Sequence, residues 1–195
     1  IMVVTGVQTC ALPILAGPGS AAMEMAICNL VTPGSKVLSI TNGYFSRRMA
    51  EMSTRVGGVV TVLEVPDNQA ANPEIVEQYL KQGDFRTLTI VQGETSNTVY
   101  NRELETISRL AHSYDCAVIV DAVCTLSTMP FDMDEWQVDA VITGGQKGLS
   151  SIPGVSLLAF SDYAWVRIEA RKQPIAHWCL DAILADKFWN KRSYH

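Results

Sequence analysis

The sequence predicts an α/β protein with an open, mostly parallel central sheet and helices on both faces, a three-layer αβα arrangement. Short runs rich in β-branched residues alternate along the chain with segments whose apolar residues recur at helical spacing. The runs VIV and AVIT are typical of strands that are buried on both faces rather than half-exposed. Ligands of such sheets bind beyond the carboxyl ends of the strands, so functional residues are expected just after each strand.

Each element is predicted from its own composition and its flanking residues. Aliphatic and β-branched residues dominate the six predicted strands, which are residues 36–40, 59–64, 87–91, 117–120, 140–143 and 156–160. The first helix follows Ser20, a good N-cap residue, and the third follows Asn72 with a proline at its first position. The predicted helices are residues 21–30, 44–56, 73–81, 102–112, 164–171 and 176–188.

The composition narrows the class of protein. Hydrophobic residues make up 48% of the 195 residues and the net charge is −5, which suits a globular protein without a basic surface for nucleic acid or an anionic membrane. The five cysteines are odd in number and form no CxxC pair, so we expect neither a disulfide framework nor a zinc site, and a cytoplasmic location. The acidic stretch 132–135 lacks the ligand spacing of a metal site, so no metal is expected.

The beginning of the chain is set apart from the rest. Residues 6–14, GVQTCALPI, resemble translated adapter sequence, and the segment matches neither a signal peptide nor a membrane span. We expect residues 1–14 to be a non-native or disordered leader. Residues 15–195 are expected to form one truncated domain.

Two residues near predicted strand ends suggest chemistry. Asp121 directly follows the strand at 117–120, and Lys147 follows the strand at 140–143 within the glycine-rich string ITGGQKG. A lysine among small residues can lose its proton and act as a nucleophile. A carboxylate facing a pyridine nitrogen keeps that nitrogen protonated, so that the ring accepts electrons. A buried salt bridge is the simpler explanation of an arbitrary pair of this kind.

Three further segments are compatible with a bound ligand, although each has a plainer explanation. The string GPGS at 17–20 opens the first helix and could cradle a phosphate, or could be only a turn. The polar string GETSNT at 93–98 could place Thr95 or Ser96 beside a ring hydroxyl, or could be an ordinary loop. The string NGYF at 42–45 could stack an aromatic face on a ring, or could pack in the core.

Taken in order, these segments resemble the class V aminotransferases of pyridoxal 5′-phosphate (PLP) fold type I, and most of all the alanine–glyoxylate and serine–glyoxylate (serine–pyruvate) group. The resemblance covers residues 15–195 and rests on the strings GPGSAAMEMAICNLVTPGSKVL, NGYFSRRM, VQGETSNTV, AVIVDAVCTL, DAVITGGQKGLSSIPGVSLLAFSD and DKFWNKRSYH. It implies PLP-dependent transamination between a small amino acid, such as alanine or serine, and glyoxylate or pyruvate. It also implies a homodimer with shared active sites, and the absence from this chain of the small C-terminal domain that carries the family's substrate-carboxylate arginine.

The resemblance also implies roles for individual residues. Lys147 corresponds to the Schiff-base lysine and Asp121 to the partner of the pyridine nitrogen, and these two are the expected catalytic residues. The remaining cofactor-binding residues are Gly19, Ser20 and Gln146 at the phosphate, Phe45 and Val123 on the ring faces, Thr95 near the ring hydroxyl, and Tyr194, which reaches the cofactor of the neighbouring subunit. Two positions depart from the family, since Phe45 replaces a commoner tryptophan and Pro18 replaces a small polar residue.

Other functions stay open on the sequence alone. A PLP-dependent lyase of the cysteine desulfurase type shares the fold, but such enzymes carry a histidine before the lysine, where this chain has Gln146. Cys124, just after Asp121, is expected to pack rather than to act as the lyase nucleophile. The chain could also be an inactive truncated fragment that only binds PLP. No GxGxxG string follows a predicted strand, which argues against a dinucleotide-binding dehydrogenase. The amino donor is not determined, because aminotransferases of 2-aminoethylphosphonate and ureidoglycine resemble this segment as well.

Overall fold

The computed structural model describes residues 14–191, and side chains as far as residue 187. Nine strands are present in this part of the chain: β1 Ile14–Ala16, β2 Lys36–Thr41, β3 Val59–Glu64, β4 Thr87–Val91, β5 Gly93–Glu94, β6 Val99–Tyr100, β7 Ala117–Asp121, β8 Ala140–Gly144 and β9 Val155–Phe160. The helices are α1 Gly19–Leu30, α2 Tyr44–Arg55, α3 Pro73–Gln82, α4 Leu104–Ser113, α5 Asp162–Glu169 and α6 Ala182–Lys191, with a short 3₁₀ helix at Trp178–Leu180.

Seven strands form one sheet in the order β1-β9-β8-β7-β4-β2-β3. The five strands from β8 to β3 are parallel to one another, whereas β9 runs antiparallel to both β8 and β1. The register pairs Val91 with Asp121 and Asp121 with Ile142, so the carboxyl ends of the parallel strands β4, β7 and β8 lie at one edge of the sheet. Strands β5 and β6 form a separate hairpin directly after β4.

Helices cover both faces of this sheet, because its central strands are apolar on both sides. One core contains Val76 and Leu80 of α3 and Leu104 and Ile107 of α4, packed on one face. The other core packs α1, α2, α5 and Ala182 of α6 on the opposite face. Every residue of β4, β7 and β8 is buried, as the apolar runs predicted. The predicted mostly parallel αβα fold is therefore confirmed.

Several element boundaries differ from the predictions. Helix α4 begins at Leu104 rather than at residue 102, and α5 spans Asp162–Glu169 rather than residues 164–171. Helix α1 begins at Gly19 after Pro18, so Ser20 is not its N-cap. The helix expected over residues 176–188 is instead the short 3₁₀ helix followed by α6, because the Asp181 carboxylate accepts hydrogen bonds from Ile183 N and Leu184 N and starts a new helix there. The polar segment 93–98 forms the first strand and the turn of a β-hairpin, which is completed by Val99 and Tyr100.

Strand β1 begins at Ile14, one residue before the expected start of the domain at residue 15. Ile14 pairs with Leu157 of β9. The rest of the expected leader, residues 1–13, lies outside the described residues, and the expectation about it stays a prediction. Within residues 14–191, no helix is long and apolar enough to cross a membrane. The same described part of the chain holds no cluster of histidine, cysteine and acidic side chains that could bind a metal ion.

Candidate active site

A cavity of about 210 Å³ lies at the carboxyl edge of the sheet, where β4, β7 and β8 end and where α1 and α2 begin. The site residues that the sequence predicted within the described part of the chain all line it: Gly19, Ser20, Phe45, Thr95, Asp121, Val123, Gln146 and Lys147. They come from five separate segments spread over about 130 residues of sequence. Tyr194 lies outside the described residues, so its predicted role stays untested.

The Asp121 carboxylate is the buried anion of this cavity. Asp121 ends β7, and its side chain is only 3% exposed. One hydrogen bond reaches it in the described part of the chain, from Val123 N to Oδ1 at 2.8 Å. Burial raises the pKa of Asp121 to about 6, with a smaller rise from the charge of Glu94, against the lowering effects of the Val123 amide and the charge of Arg48. A desolvated carboxylate with so few donors is suited to a cationic ligand atom.

Lys147 lies in the turn that follows β8, with its side chain exposed at the cavity. The turn is closed by hydrogen bonds from Lys147 N to Gly144 O at 3.3 Å and from Ser150 N to Lys147 O at 2.9 Å. Gly148 must be a glycine, because a Cβ there would lie 2.3 Å from Leu126 O. The turn is therefore packed against the segment that follows β7, which fixes the base of Lys147 beside the Asp121 strand.

The N-termini of α1 and α2 both face this edge but are capped differently. Helix α1 has no side-chain cap, and no acidic residue lies in its first turn. Gly19 and Ser20 therefore present uncapped helix N–H groups to the cavity, an arrangement that favours an anion. Helix α2 is capped by Glu94 of the hairpin. Its carboxylate accepts from Ser46 N at 2.9 Å and Phe45 N at 3.2 Å.

The hairpin holds Phe45 at the cavity through this cap. Besides the two α2 amides, the Glu94 carboxylate accepts hydrogen bonds from the hydroxyls of Ser46 and Ser96 at 3.0 and 2.7 Å. Burial of Glu94 acts to raise its pKa, but the bonds from Ser46, Ser96 and Phe45 outweigh it and lower the pKa below the usual value. Gly43 leaves room for this carboxylate, since a Cβ at that position would lie 2.3 Å from Glu94 Cγ.

Five cavity residues were not among the predicted site residues: Pro18, Met23, Arg48, Gly93 and Cys124. Arg48 is the most consequential, because it adds a second cation beside Lys147. Its spacing of four residues from Tyr44 on a helix could have indicated that it shares a face with the aromatic residues at the start of α2. Cys124 is half-buried, and its thiol donates to Gly93 O at 2.9 Å.

The cavity combines an uncapped helix N-terminus, a buried carboxylate, an exposed lysine, and Phe45 and Val123 as apolar walls. The first feature suits an anionic group such as a phosphate, and the second suits a protonated ring nitrogen. A volume of about 210 Å³ is below the range of about 300–1,000 Å³ that is usual for drug-sized ligands, so a compact single-ring ligand fits better than a dinucleotide.

Comparison with known proteins gives a consistent result. The family model described as aminotransferase class-V matches residues 14–173. An alanine–glyoxylate aminotransferase of Drosophila melanogaster is 32% identical over 185 residues, which are 93% of this chain and 47% of that protein. An L-aspartate–glyoxylate aminotransferase of Paracoccus denitrificans is 34% identical over 161 residues, covering 80% of this chain and 40% of that protein. The crystal structure of an alanine–glyoxylate aminotransferase from Nostoc sp. superposes with a TM-score of 0.90 at 33% identity, covering 93% of this chain and 48% of that one.

The chain thus spans about half the length of the curated relatives that it matches. A cysteine desulfurase from Thermococcus onnurineus superposes with a TM-score of 0.63 at 14% identity, over 77% of this chain and 38% of that one, which is a likeness of fold alone.

Proposed function

The chain belongs to the class V aminotransferase family, and from that premise we propose that it is the cofactor-binding part of a PLP-dependent aminotransferase. The reaction proposed for the whole protein moves an amino group from a small amino acid to glyoxylate or pyruvate. Glyoxylate is supported by the names of the relatives, while their amino donors include both alanine and L-aspartate. The observation that carries the proposal is the convergence of the predicted residues on one cavity.

The residues present fit this cofactor. Asp121 is a buried carboxylate that accepts one described hydrogen bond, so a protonated pyridine nitrogen would supply the positive charge that its surroundings lack. The uncapped first turn of α1, with Ser20 and Gln146 beside it, would hold the phosphate. Phe45 and Val123 would contact the two ring faces, and Thr95 would bond near the ring hydroxyl.

Each of these side chains then has a defined task. When bound, the cofactor supplies an electron sink for the electron pair that remains when a proton leaves the amino acid Cα. Asp121 would keep the ring nitrogen protonated, which would maintain that sink. Lys147 would hold the cofactor. The free Lys147 Nζ would take the proton from the substrate Cα as a general base and would return it as a general acid.

The desulfurase alternative is not supported. Cys124, the cysteine that lines the cavity, donates its thiol hydrogen to Gly93 O at the base of the hairpin, which is consistent with a packing role. Gln146 also stands where that group of enzymes carries a histidine. We further propose a homodimer, supported by the 61% exposed ring of Tyr44, which contacts the cavity residues Phe45 and Arg48. We also propose a cytoplasmic location, supported by free cysteines at 28, 116, 124 and 179.

The test compares wild type with Lys147→Ala after incubation with PLP and removal of the excess. We expect a visible absorption band that remains with the wild-type protein and is absent from Lys147→Ala. Lys81→Ala is the matched control, because Lys81 pairs with Glu77 on the outer face of α3 and should keep the band. Borohydride reduction followed by peptide mass analysis should place the cofactor on Lys147, and light scattering of the same sample should give the mass of a dimer.

A band that is equally strong in Lys147→Ala, or a label on another lysine, would refute the cofactor assignment. A monomer mass with the band present would refute only the proposed dimer. Cofactor retention tests the assignment directly. Slow turnover would not, because the chain spans about half the length of its relatives and an incomplete site would also be slow.

A further inference from the structure

Arg48 is a cation of the cavity for which the described residues provide no carboxylate partner. It lies on the second turn of α2, is half-buried, and lines the cavity together with Ser20, Phe45 and Asp121. Within residues 14–187, no ion pair joins it to an acidic side chain. The adjacent Arg47 points the other way and pairs with Glu64 at 3.2 Å and Asp67 at 2.6 Å. An unpaired guanidinium in a cavity is a binding site for an anion.

The guanidinium of Arg48 is nevertheless held in one place. Its Cζ lies 4.9 Å from the ring centroid of Phe45 and 5.1 Å from that of Tyr44, both within range of a cation–π interaction. Its Nη1 donates to Ser20 Oγ at 2.7 Å. These contacts fix Arg48 between the start of α2 and the start of α1.

The bond to Ser20 determines what the serine hydroxyl can do. A hydroxyl has one hydrogen to donate and two lone pairs to accept with. The Arg48 bond uses a lone pair, and in the described part of the chain no acceptor takes the hydroxyl hydrogen. The hydroxyl is therefore left as a donor at the uncapped N-terminus of α1, and the neighbouring positive charge makes it a stronger one.

We propose that Arg48 is a positioning residue for phosphate recognition: it holds the Ser20 hydroxyl as a donor to the cofactor's phosphate and adds positive charge at the start of α1. Arg48 thereby makes the site selective for the phosphorylated cofactor over its unphosphorylated form. This inference rests on the proposed function, since it takes the phosphate to lie at Gly19 and Ser20.

The experiment compares two ligands that differ only in the phosphate, PLP and pyridoxal. The affinity of the 195-residue protein for each is measured by equilibrium dialysis, without any assay of turnover. We expect Arg48→Met to weaken PLP binding about tenfold, the low end for a charge-assisted interaction at a half-buried site, and to change pyridoxal binding by less than about twofold. Arg47→Met is the matched control and should change neither affinity, because Arg47 lies on the outer face of α2.

A double-mutant cycle tests whether Arg48 acts through Ser20. Ser20→Ala alone should weaken PLP binding. The loss of PLP affinity caused by Ser20→Ala should be smaller in the Arg48→Met protein than in the wild-type protein. Arg48→Lys keeps the charge but loses the planar fork, so it should retain part of the selectivity for PLP. It also serves as the readout if circular dichroism shows that Arg48→Met does not fold.

The outcomes separate the two proposals. If wild type binds both ligands through Lys147 but the Arg48 variants weaken PLP and pyridoxal equally, Arg48 is only structural and this inference is overturned. Additive effects of the two substitutions would overturn the action through Ser20. If wild type binds neither ligand in a way that depends on Lys147, the proposed function itself fails and this inference fails with it.

Discussion

Asp139 and Asp121 are both almost completely buried, but they lie at opposite ends of the parallel strands and differ in the hydrogen bonds that they accept. Asp139 directly precedes β8 and is 1% exposed. It accepts from His112 Nε2 at 2.7 Å, Val118 N at 2.8 Å and Ser161 Oγ at 2.7 Å. Asp121, at the other end, accepts only from Val123 N in the described part of the chain.

The cations at the two ends differ in the same way. At the amino end of the strands, Arg86 and Arg167 both pair with Asp115, and Tyr163 donates to the same carboxylate. At the carboxyl end, Arg48 and Lys147 have no ion pair within the described residues. The charged groups named at the amino end are thus satisfied by the protein itself, which is the arrangement of a structural network. Asp121, Arg48 and Lys147 at the carboxyl end are left to meet a ligand, which favours a binding site there.

This contrast predicts that the same substitution lowers stability much more at Asp139 than at Asp121. Asp139→Ala removes the carboxylate to which three buried groups are hydrogen-bonded and leaves all three without a partner. We therefore expect the free energy of unfolding to fall by about 4 kcal/mol. Asp121→Ala removes a desolvated charge and leaves only the Val123 amide unpaired, so we expect a change within about 1 kcal/mol. Urea unfolding at pH 7 without cofactor measures both. Equal losses in the two variants would mean that the ends of the sheet do not differ as described.

The pH dependence of stability should sharpen the same contrast. Because burial raises the pKa of Asp121 from 3.8 to about 6, the folded protein binds more protons than the unfolded chain between these values. The contribution of Asp121 to stability therefore falls as pH rises from about 4 to about 6, by about 3 kcal/mol in total. We expect the difference in unfolding free energy between wild type and Asp121→Asn to follow this fall. A difference that stays constant from pH 4 to pH 7 would contradict the raised pKa.

Much of the fold and the site could be predicted because both follow from local signals. The six predicted strands match observed strands with ends within one residue, since strands that are buried on both faces are continuous apolar runs. Asp121 ends β7 and Lys147 follows β8, so the rule that sites form at carboxyl ends located them without tertiary information. Their exact roles came only from the resemblance to a family, and they stay predictions.

The features that were missed depend on contacts between distant parts of the chain. Strand β1 has three residues and exists because it pairs with β9, about 140 residues later. The hairpin at Gly93–Glu94 has no apolar run, and it is held by the cap that Glu94 gives to α2. The break before α6 had a local signal, because an aspartate such as Asp181 is a preferred N-cap. Arg48 was missed because its importance depends on Ser20, 28 residues away.

Removing the cap that Glu94 gives to α2 should lower the unfolding free energy less than removing Asp139 does. Glu94 lies at the carboxyl end of the strands, but like Asp139 it accepts several hydrogen bonds from the protein. The difference between the two ends of the sheet therefore concerns the groups that face the ligand and not every group at the carboxyl end. Glu94→Gln keeps the shape of the side chain but replaces one acceptor oxygen with a donor. We expect the unfolding free energy at pH 7 to fall by about 1–2 kcal/mol.

The sign of the pH dependence distinguishes this carboxylate from Asp121. Because the hydrogen bonds lower the pKa of Glu94 in the folded state, its contribution is present above the unfolded pKa and is lost as pH falls through the folded value. The gap between wild type and Glu94→Gln should therefore narrow in acid. Glu74→Gln is the matched control, since Glu74 is an exposed acidic residue in the first turn of α3, which Asn72 already caps, and it should cost less than about 0.5 kcal/mol. Equal costs for the two glutamine variants at pH 7 would show that the hairpin does not hold α2, and the position of Phe45 at the cavity would then need another cause.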